Sequence, residues 1–213
     1  MSNGNRDAHR HDPSVVTYYS IIAGLGNPGR EYARTRHNAG FMVLDQLAER
    51  WNASWTAQKK FHAKLARMVR EKRKVILCQP QTFMNSSGAS IGPLAAYYQV
   101  RSADTLVVVD DADLPFGQIR LRGQGSSGGH HGLASVEQHL GTRDYPRLRV
   151  GIGRTERGLR EITGHVLSQF ERSELPLLEK VLQRACDQVE CWLTAGLQQA
   201  MNQFNSVIKI EET

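Results

Sequence analysis

The chain has 213 residues, of which 40% are hydrophobic, so it can bury a full core, and one domain is favoured over two. Its 27 lysines and arginines exceed its 21 aspartates and glutamates, and the resulting net charge of +6 favours an anionic partner without identifying it. The three cysteines, Cys78, Cys186 and Cys191, have no C-x-x-C spacing, which argues against a disulfide framework and a structural zinc site and predicts reduced core thiols.

The amino-terminal stretch MSNGNRDAHRHDPS is polar and lacks the apolar segment of a signal peptide. Nowhere does the chain contain the run of about 18 apolar residues that a membrane span needs. We therefore predict a disordered tail over residues 1–14, a folded domain over residues 15–213, no membrane association and a cytoplasmic location.

Strands and helices alternate along the rest of the chain. VVTYYSIIAGL reads as a strand, and apolar spacing from Phe41 to Trp51 predicts a helix. FHAKLARMVR and VILCQP, joined by the charged turn EKRK, predict a hairpin. The later elements, in order, are a helix in SSGASIGPLAAYYQV, strands TLVVVDD and FGQIRLR, a helix LASVEQHL, a strand RLRVGIG, and helices ERSELPLLEKVLQRACDQVECWLTAG and LQQAMNQF. This pattern predicts a single-domain three-layer α/β/α sandwich around a twisted mixed β-sheet.

The loop AGLGNPG after the first strand matches the G-x-G-x-x-G pattern of dinucleotide-binding folds through Gly24, Gly26 and Gly29. The context differs, because no helix opens directly after the loop. Asp45, the acidic residue at a suitable distance, falls inside the next helix on its polar side. A nicotinamide-dependent oxidoreductase is therefore disfavoured, and a cofactor-binding titration would test it.

Polar residues follow several predicted strands, where the ligands of an α/β sheet bind. These are Asn27, Asn85, Asp110 and Asp111, with His37 in the loop before the first long helix. A histidine held by a carboxylate can act as a general base. The G-x-S-x-G pattern occurs in GASIG, inside a predicted helix, and in GSSGG, inside the glycine-rich segment. Neither directly joins a predicted strand to a predicted helix, as a nucleophile elbow does, so water is the more economical nucleophile. Taken singly, each of these residues could equally be a cap or a turn residue.

Two other groups of residues are ambiguous. His130 and His131 adjoin in the glycine-rich segment RGQGSSGGHHG, but without an obvious third ligand they are weak evidence for a metal. Arginines recur two apart on two predicted strands, so each pair faces one side of its strand. They could form either a phosphate clamp or a solvated face: Arg120, Arg122, Arg147 and Arg149.

Five motifs, in this order and spacing, resemble those of the bacterial-type peptidyl-tRNA hydrolase family. They are GLGNPGREYARTRHNAG, QPQTFMNSSG, DDADLPFGQIRLR, GSSGGHHGLASV and RLRVGIGR, and the resemblance covers about Ser20 to Phe204. It implies hydrolysis of the ester that joins a peptide to the 3′ end of tRNA, by a protein that needs no metal or cofactor and that we expect to be a monomer.

The resemblance also implies roles for individual residues. His37 would be the base that activates water, Asp110 would orient it, and Asn27 and Asn85 would hold the peptide and position the ester. Arg122 and Arg149 match basic positions that engage the terminal phosphate of tRNA. The remaining expected substrate contacts are Tyr32, Phe83, Met84, Gly128, Gly129 and His131.

One position departs from the family pattern. Where the family usually has asparagine in the sequence HNGL, this chain has His131, between His130 and Gly132. Imidazole differs from an amide in size and protonation, so rate and pH dependence become uncertain. A relative that keeps RNA binding but has lost hydrolysis therefore remains an alternative.

Overall fold

The structure is a computed structural model, and it describes residues 18–70, 73–153 and 164–205. The predicted tail over residues 1–14, the start of the first predicted strand and the last eight residues of the predicted domain lie outside the described part of the chain.

The described strands form one mixed sheet of seven strands in the order β2-β3-β4-β1-β5-β7-β6. Strands β4, β1, β5 and β7 are parallel neighbours, whereas β2, β3 and β6 run antiparallel to the strands beside them. The bounds are β1 Tyr19–Gly24, β2 Thr56–Gln58, β3 Ala63–Arg70, β4 Arg73–Pro80, β5 Thr105–Asp111, β6 Ile119–Arg122 and β7 Arg147–Gly151. The predicted mixed sheet is confirmed, and β2 is an additional short strand.

Helices cover both faces of the sheet. They are α1 Ala39–Arg50, α2 Gly88–Tyr98, α3 His131–Leu140, α4 Leu175–Ala195 and α5 Leu197–Phe204. Side chains of β5 alternate between the two faces of the sheet and so contribute to two separate cores. Leu106 and Val108 pack with α1 and α4, whereas Val107 and Val109 pack with α2 and α3. The expected three-layer α/β/α sandwich is therefore confirmed. None of the described helices is long and apolar enough to cross a membrane.

Helix α4 begins later than the sequence pattern predicts. The backbone N–H of Glu171 donates to the Glu174 carboxylate at 2.7 Å, and Pro176 occupies the first turn, so the preceding residues form a turn. Cys78 and Cys186 are buried, and burial raises the pKa of both thiols to about 12. Cys191 is only partly buried, so the prediction of three core thiols is wrong for this residue.

The glycines after β1 allow close packing of the chain. A Cβ on Gly24 would lie 2.4 Å from the Gly40 carbonyl oxygen, and a Cβ on Gly40 would lie 2.5 Å from the Val108 carbonyl oxygen. The start of α1 can thus pack directly against the ends of β1 and β5. The helix begins at Ala39, two residues before the predicted start at Phe41, and this arrangement places His37 above the carboxyl end of β5.

Candidate active site

A cleft of about 460 Å³ lies beyond the carboxyl ends of β1 and β5. It is lined by Asn27, His37, Asp110, Asp111, Ala112, Asp113, Ser127, Gly128, Gly129, His130, His131, Leu133, Arg149, Val166 and Leu167. The cleft therefore brings together many of the residues predicted from the sequence, with an apolar wall from Ala112, Val166 and Leu167.

Asp110 is the buried centre of the cleft, with 3% of its surface exposed. Its Oδ2 atom lies 3.0 Å from His37 Nδ1, and its Oδ1 atom lies 3.0 Å from His130 Nε2. Burial alone would raise the pKa of this carboxyl, but the electrostatic attraction and hydrogen bonds of His130 and His37 more than offset it. They hold the pKa of Asp110 well below its usual range, so Asp110 is ionised at neutral pH.

His130 caps helix α3 with its imidazole ring. Its Nδ1 atom accepts the backbone N–H groups of Gly132 at 3.1 Å and Leu133 at 3.3 Å. A neutral imidazole carries one proton, so the accepting Nδ1 places that proton on Nε2. His130 therefore donates to Asp110. This contact was not predicted from the sequence; the position of His130 three residues before the predicted helix LASVEQHL was the available signal.

His37 belongs to a short 3-10 helix, Arg36–Asn38, that leads into α1. Because the ionised Asp110 can only accept, Nδ1 of His37 carries the proton and Nε2 keeps its lone pair. Arg36 fixes this segment, since its Nη2 atom pairs with the Glu174 carboxylate at 2.6 Å and its Nη1 atom donates to the Ile152 carbonyl. The His37 side chain is 15% exposed, so a ligand in the cleft can reach it.

Asn27 is held by two neighbours. Its backbone N–H donates to Asn38 Oδ1 at 2.8 Å, and Asn38 Nδ2 donates back to its carbonyl at 3.0 Å. The Asn27 Oδ1 atom accepts the backbone N–H of Met84 at 2.7 Å. The side-chain oxygen is thus engaged, and the Nδ2 group remains for a ligand. The role of Asn38 in holding this loop was not predicted from the sequence.

The other predicted substrate contacts are distributed differently. Met84 is buried, and its sulfur packs against Gly132 at the start of α3. His131, Gly128 and Gly129 are exposed residues that line the cleft. Phe83 and Asn85 are exposed and Tyr32 is half-buried, and none of these three contributes to the lining of the cleft. The convergence expected for Asn85 is therefore not observed.

Possible ligand atoms of His37, Asp110 and His130 lie within 4.8 Å of one another, a spacing that could hold a metal ion. The tautomers argue against it. A metal ligand needs a lone pair, but Nε2 of His130 and Nδ1 of His37 both carry the protons that they donate to Asp110. The sequence raised His130 and His131 as a possible pair of metal ligands. Of these two residues, only His130 contacts Asp110, so they do not act on the same group.

A second cleft, of about 490 Å³, shares Asp111 and Arg149 with the first and is rich in arginines. In the antiparallel pair of β6 and β7, Arg120 lies opposite Arg149 and Arg122 lies opposite Arg147. Directly opposed residues share a face of the sheet, so all four side chains lie on the same face. The prediction that each pair faces one side is correct, and both pairs face the same side.

Arg147 supports the fold of this region. It is fully buried, donates to the carbonyls of Gly125 at 2.6 Å and Arg143 at 2.7 Å, and pairs with Glu137 at 3.4 Å. Its charge and donors are thus used to hold the glycine-rich loop against the sheet.

The other three arginines differ in how firmly they are held. Arg149 donates to the Asp111 carboxylate at 3.1 Å and to the Ser126 carbonyl at 3.0 Å. Arg120 and Arg122 are exposed on the edge strand β6. This arrangement of like charges is suited to a phosphate group.

The chain is similar to known proteins over most of its length. The model of a family described as peptidyl-tRNA hydrolase matches residues 21–212. The chain is 49% identical over 193 residues to a peptidyl-tRNA hydrolase from Synechococcus sp. (strain JA-3-3Ab), a match that covers 91% of this chain and 85% of the relative. It is 46% identical over 186 residues to a peptidyl-tRNA hydrolase from Bacillus cereus (strain Q1), covering 87% and 99%.

A solved structure is similar as well. The crystal structure of peptidyl-tRNA hydrolase from Acinetobacter baumannii matches with a TM-score of 0.84 and 38% sequence identity, over 89% of this chain and 95% of that one. Sequence and fold thus agree over most of the chain, including the segments that line both clefts. The chain belongs to the peptidyl-tRNA hydrolase family.

Proposed function

We propose that the chain hydrolyses the ester bond between the peptide and the tRNA of peptidyl-tRNA and so releases tRNA for reuse in translation. The observation that carries this proposal is the pairing of His37 with the buried Asp110 in an accessible cleft. Relatives of this chain that match it over most of its length are named peptidyl-tRNA hydrolases.

In this reaction His37 is the general base. Its Nε2 lone pair removes a proton from water while the oxygen of that water attacks the ester carbonyl carbon. The bond from that carbon to the ribose oxygen then breaks, and the proton passes from His37 to the departing oxygen. The products are a peptide with a free carboxylate and a tRNA with a free terminal hydroxyl. Asp110 keeps the His37 ring oriented and stabilises the imidazolium that forms.

The amide side chains position the ester. Asn27 Oδ1 is engaged by Met84, so Nδ2 of Asn27 would donate to the ester carbonyl and stabilise the negative charge that develops on it. Asn85 would contact the peptide outside the cleft, together with Phe83 and Tyr32, all of which lie at least partly on the surface.

The arginine cleft would take the phosphates of tRNA. Arg122 and Arg149 would bind the terminal phosphate, and this contact places the acceptor end without reading its sequence. Since the two clefts share Arg149, a tRNA held by its phosphate could direct its 3′ end toward His37. We also infer that the enzyme works without metal or cofactor, as a monomer, in the cytoplasm.

An RNA-binding protein without hydrolytic activity is the second candidate, because His131 occupies the position where the family usually has asparagine. A release assay separates the two. Purified protein is mixed with an N-acylated aminoacyl-tRNA, and free tRNA is measured, with tRNA affinity measured in parallel. Hydrolysis supports the proposal. Binding of tRNA without hydrolysis of the ester would favour the second candidate.

A further inference from the structure

The environment of His130 is unusual because both ring nitrogens have assigned partners. Nδ1 accepts from two backbone N–H groups at the start of α3, and Nε2 faces Asp110 Oδ1 at 3.0 Å. The first turn of a helix presents donors only. The helix itself therefore determines where the proton of His130 lies, independently of the carboxylate on the other side of the ring.

Asp110 consequently receives two imidazole donors from opposite elements. His37 approaches from the segment before α1, and His130 approaches from the cap of α3, with their ring centroids 5.3 Å apart. The buried carboxylate cannot turn without losing one of these hydrogen bonds. Since Asp110 orients His37, any rotation of the carboxylate would also misalign Nε2 of His37.

We propose that His130 is a positioning residue of the hydrolytic site. It acts through Asp110 rather than on the substrate, and the cap of α3 keeps it in the tautomer that donates to Asp110. This inference rests on the proposed function, since it assigns His130 to the same reaction. It also explains why His130, and not the exposed His131, occupies the buried side of the histidine pair.

Two substitutions of His130 separate the roles of its two ring nitrogens, the helix cap at Nδ1 and the donor to Asp110 at Nε2. In His130→Asn, the side-chain oxygen can replace Nδ1 as the cap, because asparagine is a favoured N-cap residue, but the side chain is too short to reach Asp110. In His130→Gln, the longer side chain can place an N–H group near the position of Nε2, but the cap is lost. The first variant thus keeps the helix cap and the second keeps the donor to Asp110.

The test measures kcat, KM and thermal unfolding of the three proteins. We expect kcat of His130→Asn to fall on the order of 10- to 100-fold with KM little changed, because a misaligned base slows the chemical step. His130→Gln should be less stable but should retain more of its kcat. Full kcat in a folded His130→Asn protein, or an equal loss of kcat in both variants, would overturn the proposal.

A second measurement needs no variant. Nitrogen-15 NMR of histidine-labelled protein distinguishes a protonated from an unprotonated ring nitrogen. We expect His130 to carry its proton on Nε2 at neutral pH, and a proton on Nδ1 would overturn the inference. If the unaltered protein releases no tRNA at all, the proposed function fails, whereas the tautomer remains measurable.

Discussion

The Nδ1 atom of His37 lies 3.0 Å from Oδ2 of Asp110, and this contact leaves the opposite ring nitrogen free to act on water. The pair is built from distant parts of the chain, since His37 precedes α1 whereas Asp110 is the last but one residue of β5 in the adjacent layer. Gly40, at the start of α1, allows the two elements to come this close.

Removal of the proposed base should affect the reaction and not the binding of tRNA. We expect His37→Ala to lower kcat by about 10²- to 10⁴-fold, the usual contribution of a general base, with tRNA affinity near that of the unaltered protein. Single-turnover release and a separate tRNA-binding titration measure the two quantities.

His62→Asn is the matched control for His37→Ala, since His62 is exposed in the left-handed region with φ of 48°, which asparagine tolerates. It should change neither turnover nor affinity. Near-native turnover of folded His37→Ala would rule out His37 as the base.

The arginine cleft predicts dependence on the tRNA phosphate. We expect Arg122→Gln and Arg149→Gln to weaken binding of a substrate with a 5′-phosphate and to leave a dephosphorylated substrate nearly unaffected. The difference between the two substrates in lost affinity should shrink at high salt, because screening weakens exposed charge interactions. Affinities of both substrates at two salt concentrations provide the measurement.

The two arginine variants should differ in stability. Arg149 donates to Asp111 and to the Ser126 carbonyl, whereas Arg122 is exposed, so only Arg149→Gln should also lower the melting temperature. Equal losses of affinity on both substrates would instead make these arginines part of a general basic face.

Local sequence predicts some parts of this site better than others. A buried apolar strand that ends in two carboxylates predicts β5 and the place of Asp110, and apolar spacing predicts α1. Local sequence does not show whether His130 or His131 turns inward, because the packing of α3 against β5 decides it. The spacing of the four arginines on their strands also does not separate them, although burial gives Arg147 a structural role.

The low pKa of Asp110 links its charge to stability. Because the pKa is lower in the folded than in the unfolded chain, ionised Asp110 stabilises the fold above about pH 4, and this stabilisation is lost as pH falls toward the folded pKa. Asparagine at this position cannot titrate. We therefore expect the difference in unfolding free energy between the unaltered protein and Asp110→Asn to shrink between about pH 5 and pH 2.

Urea denaturation at several pH values measures this difference. Asp144→Asn is a suitable control, since Asp144 is exposed, and its effect should vary little with pH. A difference for Asp110→Asn that stays constant over the acid range would contradict the role of the two histidines in stabilising the carboxylate charge.

His131 should add its own pH dependence to turnover. It is exposed and lines the cleft, and an imidazole can gain a positive charge near neutral pH, whereas an amide cannot. A cation there would oppose protonation of His37 during the reaction. We expect activity to fall on acidification more steeply than one base predicts, and His131→Asn to restore the shallower profile. Superimposable pH–rate profiles of the two proteins would show that His131 does not influence the site.

Gly132 connects the helix cap to the core behind the site. A Cβ at this position would lie 2.5 Å from the Met84 sulfur, 2.9 Å from Leu25 Cδ1 and 3.0 Å from His130 Cε1. Alanine normally favours a helix over glycine by about 1 kcal/mol, but overpacking typically costs about 1–3 kcal/mol. We therefore expect Gly132→Ala to lower both the melting temperature and kcat, because the displaced His130 ring would no longer hold Asp110. Gly164→Ala is the control, since a Cβ on Gly164 meets no atom of the described residues within 4 Å, and it should leave both quantities unchanged. If Gly132→Ala matched the control in melting temperature and kcat, the packing of Met84 and His130 around this glycine would not constrain the site.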